Sequence, residues 1–159
     1  WWFDGMYAPF AMYDFPDDDE PNYKSLAAAA RAGNPNASLA FNPGEFPWIP
    51  AISHHQDFTA GEITRIDHLP TPIPRRFGMH GTQFHVLTHL GPCWGCAETT
   101  GGCSGPCKPR MSTPFLYNIT REYIENGWAL SLDVKVLDNG RLAPAFKPQL
   151  AALAPLARR

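Results

Sequence analysis

The chain opens on Trp1-Trp2-Phe3 and stops abruptly at Asp4-Gly5. Three large apolar residues ending on a carboxylate and a glycine read as a buried strand with an aspartate at its C-terminal tip. An α/β barrel presents its reactive groups in that way. No methionine and no capping structure precede this strand, so it is expected to lie inside a domain, and the chain to be a fragment of one.

At 159 residues the chain can bury the core of one domain, but it is well short of the roughly 250 residues of a complete (β/α)8 barrel. A formal charge of −2 supplies no basic field for nucleic acid. No apolar run reaches the roughly 18 residues of a membrane span, so no membrane partner is expected. Seventeen prolines and thirteen glycines point to long irregular loops, because proline alone is at about twice its usual 5% share.

Local signals give the element order. Asn22 is placed to cap an alanine-rich helix over residues 23–32, which Gly33-Asn34-Pro35 stops. Residues 38–41 form a short apolar strand broken by the turn former Asn42-Pro43-Gly44. A possible strand covers residues 57–63, and another residues 83–90. Thr113 followed by Pro114 at the first helical position opens a helix with Phe115, Leu116, Ile119, Tyr123 and Ile124 at helical spacing, and Asn126-Gly127 closes it. Residues 128–134 alternate, with Trp128, Leu130, Leu132 and Val134 on one side. A last helix has Pro148 in its first turn and Leu150, Leu153 and Leu156 on one face. This is the order of an α/β protein.

Two carboxylates stand at the ends of different apolar segments, Asp4 and Glu62. A barrel gathers strand C-termini on one face, and two carboxylates flanking a glycosidic bond are the minimum equipment of a glycosidase. Trp2, Tyr7, Tyr13, Trp48 and Trp94 lie on or beside the same loops, and aromatic faces stack on sugar rings. Asp57, His54 and His55 lie close to Glu62 in sequence. Glu45 is the fallback acid of the loop region.

These residues carry a family resemblance. Trp2-Phe3-Asp4-Gly5 resembles the nucleophile strand of the family 29 glycoside hydrolases, the α-L-fucosidases and their relatives. Asp57-Phe58-Thr59-Ala60-Gly61-Glu62 is similar to that family's Asp-aromatic-x-Thr-Pro-Glu segment, with Ala60-Gly61 where proline is usual. Leu87-Thr88-His89-Leu90-Gly91 with Trp94-Gly95 resembles the segment ending in a Trp-Gly pair. Leu130 to Val134 with Gly140-Arg141-Leu142 resembles the final strand and turn, with Asp133 where asparagine is usual. The four segments run in family order.

The resemblance implies the C-terminal half of a partial (β/α)8 TIM barrel, about four strands with their helices, as one domain over residues 1–159. It implies that Asp4 is the nucleophile of a retaining mechanism and Glu62 the acid/base. Trp2, His54, His55, Asp57 and Trp94 are the expected substrate-binding residues. The partner is a carbohydrate, no cofactor is needed, and the N-terminal half of the barrel is required from outside this chain. The rival expectations are a catalytically silent carbohydrate-binding relative and a small zinc-binding module.

The zinc alternative rests on Cys93-x2-Cys96-x6-Cys103-x3-Cys107, in a glycine-rich loop over residues 92–111. Four thiolates at this spacing can close around zinc. They can also form two disulfides in an exported protein, with an extracellular or periplasmic location, or remain free.

Overall fold

A strand, a helix and a second strand parallel to the first build the frame that positions Asp4. Strand β1 (Trp2–Phe3) pairs with β2 (Ala40–Phe41) in the register Trp2 to Ala40 and Phe3 to Phe41. Between them runs helix α1 (Tyr23–Arg31). The computed structural model describes residues 1–7, 21–69, 75–77, 81–96 and 106–157. Tyr13, Cys103 and part of the 92–111 loop lie outside these.

Asn22 starts α1 as the sequence predicts. Its side chain accepts from Ser25 N at 2.8 Å while Ser25 Oγ accepts from Asn22 N at 3.0 Å. This reciprocal pair satisfies two helix-end donors at once. The helix lays Tyr23 and Ala27 on Leu39 and Phe41, with Phe3, Leu26 and Ala30 packed around them. Ala27 and Ala30 on the inward side let the helix approach the strands closely. Phe3 and Phe41 stack at 5.2 Å between centroids, and Tyr23 meets Phe41 edge-on at 4.8 Å.

The chain divides into two compact units, residues 1–86 and 87–159. The first also holds an antiparallel pair, β3 (Arg76–Phe77) with β4 (Thr82–Gln83), which the sequence pattern did not announce. The expected strand over residues 57–63 is reduced to isolated bridge positions at Phe58, which pairs with Gln83, and at Glu62. Gly61 adopts φ +72, outside strand geometry. The Thr59 side chain substitutes for the ladder there, donating to His85 O at 2.7 Å and accepting from His85 N at 2.9 Å.

The second unit contains α2 (Thr113–Glu125), β6 (Ala129–Asp133) and α3 (Lys147–Leu153). Strand β5 (His85–His89) pairs with β6. Ser112 rather than Thr113 caps α2, accepting from Phe115 N at 3.3 Å, with Pro114 in the first turn. Gly127 at φ +70 follows its last turn, where a left-handed residue ends a helix. Leu90, Cys96, Leu116, Ala143 and Phe146 form the core of this unit, lined by Leu132, Leu150 and Leu153. The architecture among the described residues is thus mixed α/β, three two-stranded sheets with three helices, and no closed barrel is seen. No described helix is long and apolar enough to cross a membrane.

The cysteines correct one expectation. Cys96 and Cys107 form a disulfide with 5.7 Å between Cα atoms, and Cys93 is disulfide-bonded as well. A disulfide sulfur is not the thiolate that zinc requires, so Cys93, Cys96 and Cys107 form neither a zinc site nor free thiols. Cys103, the fourth residue of that set, is outside the described residues. Arg110 ties the end of the loop back to β5, donating to His89 O at 2.8 Å and to Thr88 Oγ1 at 2.9 Å.

Candidate active site

Asp4 and Asn42 each follow directly on a paired strand residue, Phe3 and Phe41, so the parallel register sets them side by side at the strand tips. Asn42 N donates to Phe3 O at 2.8 Å and Met6 N to Asn42 O at 3.0 Å, which continues the pairing beyond the strands. Asn42 is fully buried.

One nitrogen of Asn42 joins the two carboxylates. Its Nδ2 donates to Asp4 Oδ1 at 2.9 Å and to Glu62 Oε2 at 2.7 Å, using both hydrogens of the amide. The structure therefore brings Asp4 and Glu62 together. Glu62 arrives from the segment after Gly61, whose backbone lies against His85 with no space for a side chain.

The two carboxyl groups have different surroundings. Asp4 Oδ1 also accepts from Tyr7 Oη at 2.6 Å and Gly5 N at 2.7 Å, while Oδ2 accepts no hydrogen bond from the described residues. Burial acts to raise the Asp4 pKa, but the bonds from Tyr7, Asn42 and Gly5 outweigh it and hold the group below the usual aspartate value. The same bond to Asp4 pushes the Tyr7 hydroxyl up to about 12. Glu62 moves the other way. Burial raises it above the usual glutamate value, the charges of Asp4 and Glu45 add to that, and the Asn42 bond opposes them. Two neighbouring carboxyls are thus driven apart, one toward the anion and one toward the acid.

Glu62 and Tyr7, the latter bonded to Asp4, line a cleft of about 420 Å³ together with Pro43, Gly44, Glu45 and Phe46. Glu45 is fixed by Thr64 N, which donates to its Oε1 at 2.5 Å.

The other expected site residues are distributed differently. Trp2 shares the Asp4 side of the strand by alternation, and its indole nitrogen donates to Ala60 O at 3.4 Å, two residues before Glu62. The rings of His54 and His55 stand against each other at 3.9 Å in a turn held by Gln56, outside the described lining of the cleft. Asp57 is committed elsewhere: its Oδ2 accepts from Leu39 N at 2.8 Å and from Arg31 at 2.7 Å, tying α1 to the start of β2. Trp94 belongs to the second unit, where it meets His89 edge-on at 4.9 Å. Asp133, in the same unit, accepts from Gly95 N at 2.6 Å. Sequence reasoning named Tyr7 only as an aromatic beside the site loops and Asn42 only as a turn former, and gave neither a bond to a carboxylate. A polar residue at a strand tip was the available signal for Asn42, the same signal that picked out Asp4.

Neither a protein-family model nor a curated protein matches this sequence. Among solved structures, the chain is similar to a variant of the α-L-fucosidase AlfC in complex with Fucα(1,6)GlcNAc, with a TM-score of 0.51 and 14% sequence identity. The match covers 88% of this chain and 36% of the fucosidase, so the chain spans about a third of that protein's length. The mixed α/β fold of this chain is thus similar to part of an α-L-fucosidase.

Proposed function

We propose that this chain is the C-terminal part of the catalytic barrel of a retaining glycosidase related to the family 29 α-L-fucosidases, completed by an N-terminal half. The observation that carries the reading is the single Asn42 nitrogen bonded to both carboxylates. Atoms sharing one donor cannot be farther apart than the sum of the two bonds, which falls below the roughly 6.5 to 9.5 Å of an inverting pair. The opposite displacement of the two pKa values supports the same roles, since a nucleophile must be ionised while its partner keeps a proton.

In this mechanism Asp4 Oδ2 attacks the anomeric carbon as the bond to the leaving oxygen breaks, and Glu62 gives that oxygen its proton. A glycosyl ester on Asp4 results. Glu62, now ionised, takes a proton from water whose oxygen displaces Asp4 from the sugar. Atoms and charge balance over the two steps without any cofactor. The substrate is a terminal sugar on a glycan, of the fucose type by resemblance and by the fold of the fucosidase. Disulfides fit an oxidising compartment outside the cytosol.

Azide separates the roles in the complete protein. Glu62→Ala should still be glycosylated by an activated aryl glycoside, stall at deglycosylation, and be rescued by azide to a glycosyl azide of retained configuration. Asp4→Ala should lose all substrates, and azide should return an inverted product. No azide effect on either variant, with natural-substrate activity unchanged in Glu62→Ala, would remove Glu62 from the mechanism, whereas a complete protein that binds sugar and hydrolyses no glycoside would make the catalytically silent carbohydrate-binding relative the better reading.

A further inference from the structure

The sequence contains two Asn-x-Ser/Thr triplets, Asn36-Ala37-Ser38 and Asn118-Ile119-Thr120, and the fold gives them opposite settings. Such a triplet, with any residue but proline in the middle, is the acceptor of N-linked glycans, which exported proteins carry on surface loops.

Asn36 lies in the connection from α1 to β2. Asn34 O accepts from Ala37 N at 3.0 Å and Asn34 Oδ1 from Asn36 N at 3.0 Å, which closes a turn around Pro35 and Asn36. The backbone and Asn34 hold this turn, so the Asn36 side-chain amide is not needed for it and makes no hydrogen bond among the described residues. Ser38 is tied through its carbonyl, which accepts from Trp1 N, and its hydroxyl likewise makes no hydrogen bond among the described residues. Both residues are exposed. The amide that receives a glycan and the hydroxyl that a transferase reads are thus offered together on accessible, non-helical backbone.

Asn118 is placed differently. It stands in the middle of α2, and the Thr120 hydroxyl two residues on is buried. The helix would have to open before that triplet could be read.

Two further observations favour a glycan at Asn36. The disulfides of Cys93, Cys96 and Cys107 fit the oxidising export route on which such glycans are added. Position agrees as well: Ser38 precedes β2 while Asn42 follows it, about 13 Å further along an extended chain. A bulky glycan before the strand leaves the carboxylates at its other end uncovered.

We propose that Asn36 is an N-glycosylation site and that Asn118 is not. In the transfer, Asn36 Nδ2 bonds to the anomeric carbon of an oligosaccharide as the bond from that carbon to a polyprenyl diphosphate breaks. The diphosphate keeps the electron pair, and the amide proton passes to a base of the transferase. None of this depends on which reaction Asp4 and Glu62 perform.

The test uses the complete protein secreted by its source cells. Enzymatic release of N-glycans in water enriched in heavy oxygen turns each glycosylated asparagine into an aspartate bearing one heavy oxygen, which peptide mass spectrometry locates. The Asn36 peptide should carry the label and the Asn118 peptide should not. In the same cells Asn36→Gln and Ser38→Ala should each lose the glycan's mass from the intact protein, while Ser38→Thr should keep it. Unlabelled Asn36 in the wild type, or an intact glycan mass that survives Asn36→Gln, would overturn the assignment of Asn36. Label at Asn118 would overturn its exclusion.

Discussion

Gly61 and His85 touch through their backbones: a Cβ added at Gly61 would stand 2.1 Å from the His85 carbonyl oxygen and 2.8 Å from Val86 Cα. The φ of +72 is a second barrier to any other residue. Gly61→Ala is therefore expected to cost at least about 2 kcal/mol of unfolding free energy. Urea unfolding measures it, and an unchanged midpoint would show that the segment can step aside.

Asn42→Ala removes a donor from both carboxylates. Asp4 loses one of the three bonds that lower its pKa, and Glu62 loses the one interaction that lowers its own. Both values should rise. In a bell-shaped profile the acid limb reports the nucleophile and the alkaline limb the proton donor, so both limbs should move to higher pH. Stability should fall by about 1 to 3 kcal/mol, since the lost bonds are to charged acceptors. Movement of one limb alone would assign the amide to that carboxylate only.

Glu62→Gln is expected to stabilise the fold at neutral pH. A carboxyl whose folded pKa is raised contributes stability that is present below its unfolded value, about 4.3, and lost as pH rises through the folded value. Glutamine still offers an acceptor to Asn42 but never ionises. Wild type and variant should melt together near pH 4 and separate above it, with the variant higher. Thermal melts across that range decide it, and a lower melting temperature for the variant at pH 7 would contradict the raised pKa.

The Cys96–Cys107 bridge closes a separation of 11 residues, for which chain entropy predicts roughly 2 to 4 kcal/mol. Cys107→Ala should lower the stability of the 87–159 unit by about that amount, read by denaturant titration. Reduction of the unaltered protein should cost at least as much.

Punctuation of the chain was legible because it is local. Asn22, Pro114, Asn126-Gly127 and Pro148 each satisfy or remove a backbone group within four residues of themselves, and each ended or opened a helix as read. The tip of β1 was legible for a similar reason. The segment at residues 57–63 was not, because its apolar alternation resembles a strand while Gly61 and the Thr59 hydroxyl impose another course. Asn42 reads locally as a turn former, and its amide does hold the turn, with Gly44 N donating to its Oδ1 at 3.1 Å. Its second bond set depends on the register of β1 with β2, which no single segment states. The β3–β4 pair is two residues on each side and offers no period to detect.

The Asn42 nitrogen sees the whole catalytic cycle as a transfer of charge across itself. In the proposed mechanism Asp4 is the anion before attack and an ester after it, while Glu62 is neutral before and the anion after. The negative charge facing the amide stays at one unit and changes sides. One N–H bond tightens as the other relaxes, and a group buried in the strand tips has no need to turn or to recruit water between half-reactions. Both steps can therefore draw on the same fixed dipole, with little reorganisation on passing from one to the next.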